Sequence, residues 1–85
     1  MYLFSDTSCV EMKIDYYGNG INRVKNVDNW SECSEHCEKH TPCKFWTHKE
    51  KTKRCWLKIS DKGRKEKPGH VSGRKGCKGE WGSFQ

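Results

Sequence analysis

Six cysteines, four histidines, a run of glutamates and four tryptophans are the side chains that could carry chemistry in this 85-residue sequence. Glu32, Glu35 and Glu38 have the composition of acid/base machinery. They ride a short polar segment with no apolar surroundings to shift a carboxyl, and Glu35 has Lys39 four residues on as a solvated partner. The histidines are His36, His40, His48 and His70; nothing near them resembles a nucleophile elbow, and no nucleophile, base and orienting acid form a set. The chain is therefore not expected to be an enzyme. Among the tryptophans, Trp30 reads as core. Trp46 and Trp56 fall out of phase with the expected core positions of their strands; core packing is expected for at least one of them, and each is also a candidate to stack on a sugar ring or anchor a protein contact. Trp81 lies beyond the last cysteine.

The cysteines admit two chemistries. From Cys33 onward they are separated by three, five, eleven and twenty-one residues, so no two-residue zinc knuckle occurs, although His36 and His40 beside Cys37 leave a mixed zinc site conceivable. An even count in a short chain reads as a disulfide framework, with 15 possible pairings. A chain this short builds a core of little net stability, and covalent staples supply what burial cannot. Disulfides imply an oxidising compartment, so the chain is expected to be secreted or extracellular, without metal or cofactor. No stretch has the apolar length of a membrane span. The start, Met1 to Phe4, lacks the basic region and apolar run of a signal peptide. Residues 1–8 and 78–85 flank the outermost cysteines and read as linkers around a domain spanning 9–77, as in a module cut from a longer chain.

These groups need elements to hold them. Cys9 to Ile14 and Ile21 to Val27 are candidate strands around a turn at 15–20, where Gly and Asn tolerate positive φ. A helix runs from Trp30 to Lys39: Asn29 caps it, Glu32 stands three residues on, Cys33 and Cys37 share a face, and Pro42 follows its end. Asn29-Trp30-Ser31 is also a formal glycosylation sequon, and the cap is the preferred reading. Phe45 to His48 and Arg54 to Ile59 are strands, the second with Cys55, Leu57 and Ile59 inward and Trp56 and Lys58 outward. Ser60 to Gly69 reads as a charged loop, and His70 to Gly73 as a short last strand. Strands, helix, strands is an α+β order: an antiparallel β-sheet packed on one α-helix.

Charge is unevenly spread. Twelve of the 17 basic residues, but three of the 11 acidic ones, fall between Lys49 and Lys78. Within that half Lys49, Lys51, Lys53, Arg54, Lys62, Arg64, Lys65 and Lys67 are candidate binding residues for an anionic partner. They form two groups about a strand of roughly 17 Å, and so stand at its two ends.

The segments DYYGNGI (15–21), NVDNWSECSEHC (26–37), CKFWTH (43–48), CWLK (55–58) and GHVSGRKGC (69–77), with the early Cys9, resemble a PAN/apple domain over residues 9 to 77. The likeness is strongest to the tandem apple domains of apicomplexan microneme adhesins. It implies a small disulfide-rich PAN/apple fold, with bridges Cys9–Cys77, Cys33–Cys55 and Cys37–Cys43. It also implies an adhesion module of a larger secreted protein, released from a secretory organelle such as a microneme. The implied partners are a protein, a host-surface glycan, or neighbouring apple domains of the same chain; neither nucleic acid nor membrane insertion is expected. Two alternatives are a heparin-like glycosaminoglycan held by the basic half, and an accessory domain of a coagulation-type protease.

Overall fold

The structure, a computed structural model, describes residues 9–77. The expected linkers 1–8 and 78–85, with Trp81, lie outside the described residues.

The helix starts where its cap stands. Asn29 is extended and its side-chain oxygen accepts the Glu32 N–H at 2.9 Å, satisfying one of the donors that a first turn leaves unpaired. Glu32 reaches back to the Asp28 N–H at 3.2 Å, one residue beyond the cap N–H that a standard capping box uses. The helix α1 (Trp30–Lys39) ends at His40, whose N–H bonds the Cys37 carbonyl. Cys33, Ser34 and Cys37 form its buried stripe.

Five strands make one antiparallel sheet: β1 (Val10–Tyr16), β2 (Gly20–Val24), β3 (Phe45–Lys49), β4 (Arg54–Lys58) and β5 (Arg64–Arg74), in the order β1-β5-β3-β4-β2. The register sorts side chains by face, because successive residues of a strand alternate. Trp46 lies opposite Leu57 and Gly73, and His48 opposite Cys55 and Val71. All six are buried, and with Cys33 and Cys37 they make the layer between helix and sheet. Trp30 stacks on Trp46 at 5.7 Å with the rings 7° from parallel. Gly73 also adjoins Trp46: a Cβ there would lie 2.6 Å from the indole and 2.9 Å from the Cys9 carbonyl oxygen. The Trp46 indole N–H donates to the Arg74 carbonyl at 3.1 Å. His48 is fully buried and its Nε2 donates to the Val27 carbonyl at 2.6 Å, tying β3 to the segment before the helix.

All six cysteines are bridged: Cys33–Cys55 joins α1 to β4, Cys37–Cys43 closes the turn from α1 into β3, and Cys9–Cys77 joins the start of β1 to the exit of β5. These are the pairs implied by the family resemblance, and they leave no thiolate for zinc. Ser34 Oγ adds a hydrogen bond to the Cys77 carbonyl, fastening the helix to the same chain end.

Several local expectations are corrected. Trp46 is wholly buried, so it presents no face to a partner. The loop expected at 60–69 is half strand, because β5 runs from Arg64 and its first residues pair with Tyr16, Asp15 and Ile14. Pairing with β1 overrides the weak strand propensity of this charged stretch. Pro68 and Gly69 fall where the register breaks between Met12 and Ile14, so the missing proline N–H interrupts no ladder bond. For the same reason Asp15 and Tyr16 belong to β1, not to the turn, and β2 stops at Val24. Ile59, expected inward, is half exposed, while Lys58, expected outward, is buried.

Two stability measurements follow. Losing Cys33–Cys55 frees a 22-residue loop and leaves a hole against Trp46 and Leu57, whereas losing Cys37–Cys43 frees only 6 residues. Chain entropy alone assigns ~3.5 against ~2 kcal/mol. Thermal melts of the paired Cys→Ser variants should place Cys33→Ser/Cys55→Ser at least about 5 °C below Cys37→Ser/Cys43→Ser. Gly73→Ala should lose about 1–3 kcal/mol to overpacking in denaturant titrations, while Gly20→Ala, whose Cβ meets nothing, should lose none.

Candidate functional site

The helix covers one face of the sheet, and the other face carries a different set of side chains. Thr47 lies opposite Trp56 and Ser72, Phe45 opposite Lys58 and Arg74, and Lys49 opposite Arg54 and His70. This face is partly closed by β1. The Ser72 hydroxyl donates to the Ile14 carbonyl at 2.7 Å and pairs with Thr47 Oγ1 at 2.6 Å, with both side chains fully buried. Tyr16 meets Phe45 edge-on at 5.8 Å.

The connection from β1 to β2, residues 17–19, then arches over β4. Its anchor is Lys58. The ammonium donates to the carbonyls of Tyr16 and of Gly18 (2.9 Å) and stands 3.9 Å from the Asp15 carboxylate, with the lysine side chain only 6% exposed. Burial holds this ammonium below the usual lysine range, and Asp15 opposes that shift. From the other side the Tyr17 N–H bonds the Gly63 carbonyl at 3.1 Å. Gly63 has φ +81°, and a Cβ there would collide with the Tyr17 carbonyl oxygen, so the close approach of the two turns needs glycine.

Between arch and sheet lies a pocket of about 450 Å³. Asp15, Tyr17, Gly18 and Gly20 line it from the arch side, Lys49 from β3, Trp56 and Lys58 from β4, and Lys67 and His70 from β5. Trp56 is half-buried and Tyr17 largely exposed, so the pocket has aromatic walls and an amine-rich lining. Of the candidates read from sequence, it brings together Lys49, Lys67 and Trp56. It does not gather the rest. Arg64 is held by Glu11, with Nε at 2.6 Å and Nη2 at 2.5 Å from Oε2; Lys53 pairs with Asp28 at 3.4 Å; Lys65 lies 4.4 Å over the Tyr17 ring. Lys51, Arg54 and Lys62 lie outside the lining, and Trp46 is in the core. Sequence reading missed Asp15, Tyr17, Lys58 and His70 as site residues. The one signal present was the pair of tyrosines before Gly-Asn-Gly; Lys58 alternates with Leu57 as an ordinary outward lysine would, so nothing local marks its burial. Among the described residues no three His, Cys, Asp or Glu side chains come together as a metal set, and no helix is long and apolar enough to cross a membrane.

A family model for the PAN domain matches residues 14–58, more than half of the chain. Among solved structures, a PAN module from Eimeria tenella aligns with a TM-score of 0.59 at 28% identity, covering 85% of this chain and 84% of that one. The two N-terminal apple domains of Toxoplasma gondii microneme protein 4 align with a TM-score of 0.63 at 21% identity, a likeness of fold. That match covers 81% of this chain and 45% of the other, so this chain spans about half of the two-domain structure. No curated protein matches the sequence.

The Glu11 clamp is testable by pH. Its carboxylate accepts from Arg64 and from the Tyr16 hydroxyl at 2.6 Å, and these bonds, Arg64 foremost, hold it below the ordinary glutamate range against a smaller effect of burial. A depressed carboxyl contributes stability that is present above its unfolded value, about 4.3, and is lost as pH falls through the folded one. Glu11→Gln should therefore melt below the wild type at pH 7, and the gap should narrow as pH falls below the unfolded value of about 4.3.

Proposed function

This chain belongs to the PAN domain family, and from that premise we propose that it is an extracellular adhesion module of a larger secreted protein which recognises a glycan through the pocket between arch and sheet. The observation that carries this reading is Trp56, a half-buried indole on the face that the helix leaves free, inside a pocket lined by hydrogen-bonding groups. A sugar ring has one apolar face that stacks on an aromatic plane and a rim of hydroxyls that needs fixed donors and acceptors. Trp56 and Tyr17 suit the first, and Lys49, Lys67 and His70 the second. The pocket rests on backbone held by strand pairing and by Lys58, so little ordering entropy opposes binding. Three disulfides in so short a chain suit an oxidising extracellular compartment, in keeping with release from a secretory organelle. Neighbouring copies in a parent chain would add avidity to a single weak site.

A glycan array, followed by titration calorimetry on the hits, tests the assignment. Trp56→Ala should weaken binding by at least tenfold, the scale of an aromatic hot spot. Ile59→Ala, an exposed apolar position outside the pocket lining, should leave binding unchanged. Absence of any saccharide ligand, or equal binding by Trp56→Ala, overturns the reading.

A further inference from the structure

Resting on the glycan reading, we infer that the ligand of this pocket is an acidic saccharide, whose carboxylate or sulfate sits between Lys49 and Lys67 while its ring lies on Trp56.

The charges of the lining decide this. Asp15 is its one carboxylate, and Lys58 answers it within the wall: the two side chains are 10% and 6% exposed and 3.9 Å apart. Lys58 is further committed to two carbonyls of the arch. What remains is Lys49 and Lys67, both half-buried, with no carboxylate within ion-pair distance among the described residues. Elsewhere in the basic half three cations are answered, Arg64 by Glu11, Lys53 by Asp28, and Lys75 by the carbonyls of His40 and Thr41 at 3.3 Å, while Lys51, Arg54 and Lys62 lie outside the pocket lining. Two lysines that share a concave lining with an indole attract an anion more strongly than the same charges scattered on an open surface, because a cleft focuses their field.

Their placement is set by backbone. Lys49 pairs across β3 and β5 with His70, and the Glu50 N–H bonds the Gly69 carbonyl at 3.0 Å, which holds the β5 bulge containing Lys67 against the end of β3. His70 is buried, and its Nδ1 must carry hydrogen to bond the Pro68 carbonyl at 3.2 Å; Nε2 is the ring atom left to accept from a sugar hydroxyl. About 450 Å³ lies at the low end of small-ligand sites, room for one or two sugar residues. This differs from a polyanion spread over the whole basic half. Only two cations take part, so added salt should weaken binding far less than it weakens a polyanion that spans the whole basic half.

The test is calorimetry on the 85-residue chain with matched methyl glycosides: hexose, hexuronate and 6-sulfated hexose in the gluco, galacto and manno series. At least one acidic member should bind ten or more times tighter than its neutral counterpart. Lys49→Gln/Lys67→Gln should abolish that preference, weakening the acidic member at least tenfold more than its neutral counterpart. Lys51→Gln/Lys62→Gln, with equal charge loss outside the lining, should retain the preference. Equal affinity for acidic and neutral members overturns the inference while Trp56-dependent binding keeps the glycan reading. Equal losses in the two double variants reduce it to net charge and overturn it. No saccharide binding, or binding of an acidic peptide in its place, overturns both. The wild-type comparison of matched sugars decides the matter even if a lysine variant fails to fold.

Discussion

The covalent tie between Cys33 and Cys55 is the constraint on which the remaining structure rests. It fastens the middle of a ten-residue helix to the strand beneath it. A helix of that length is marginal in water by itself, so its persistence depends on what it is held against. What it is held against is Trp46, which stacks on Trp30 and adjoins the bare backbone of Gly73. The other two bridges close the turn after the helix and the two ends of the domain, so every long segment is anchored to this one layer. The helix-facing layer is built from cysteines, two tryptophans, a histidine and few aliphatic side chains. Such a layer supplies limited hydrophobic stabilisation, and cross-links make up the difference.

With the helix committed to one face, the opposite face is available for recognition, and its construction follows another rule. It is polar and aromatic: the Thr47–Ser72 hydroxyl pair, Tyr16 against Phe45, and the buried Lys58 ammonium. Removing water from such groups is unfavourable unless each finds a partner, and here Ser72 and Lys58 find theirs in carbonyls of β1 and its arch, Thr47 in Ser72, and the Tyr16 hydroxyl in Glu11. The polar interior thus fixes the position of the arch, and the arch makes the pocket wall. Structural and recognition roles meet in Lys58, which holds the wall from within so that Lys49 and Lys67 remain to face a ligand.

Much of this was legible in the sequence. The helix and its cap follow from Asn29, Glu32 and the spacing of Cys33 and Cys37, because helix signals are local. Strands β3 and β4 follow from short apolar runs bounded by turn residues. The cysteine count and chain length dictate stapling, and the family pattern selects one pairing from the fifteen. The unequal charge of the two halves is also a property of sequence alone.

Other features depended on contacts between segments distant in the chain. The charged stretch 64–69 is strand because β1 lies alongside it, and no local signal carries that partner. Trp46 and Trp56 have the same residue type and similar strand settings, yet one is core and the other lines a pocket. Which face meets the helix is decided by the Cys33–Cys55 tie and by the register that sets Trp46 opposite Leu57. Eight basic residues in two groups were the binding candidates in sequence. Folding places Glu11 against Arg64, Asp28 against Lys53 and the Tyr17 ring under Lys65, and leaves two of the eight, Lys49 and Lys67, beside Trp56. Sequence by itself determined the helix, strands β3 and β4, the need for staples and the sign of the charge. Tertiary structure decided which charges are answered from within, because that depends on distances of a few ångströms between residues up to 53 positions apart.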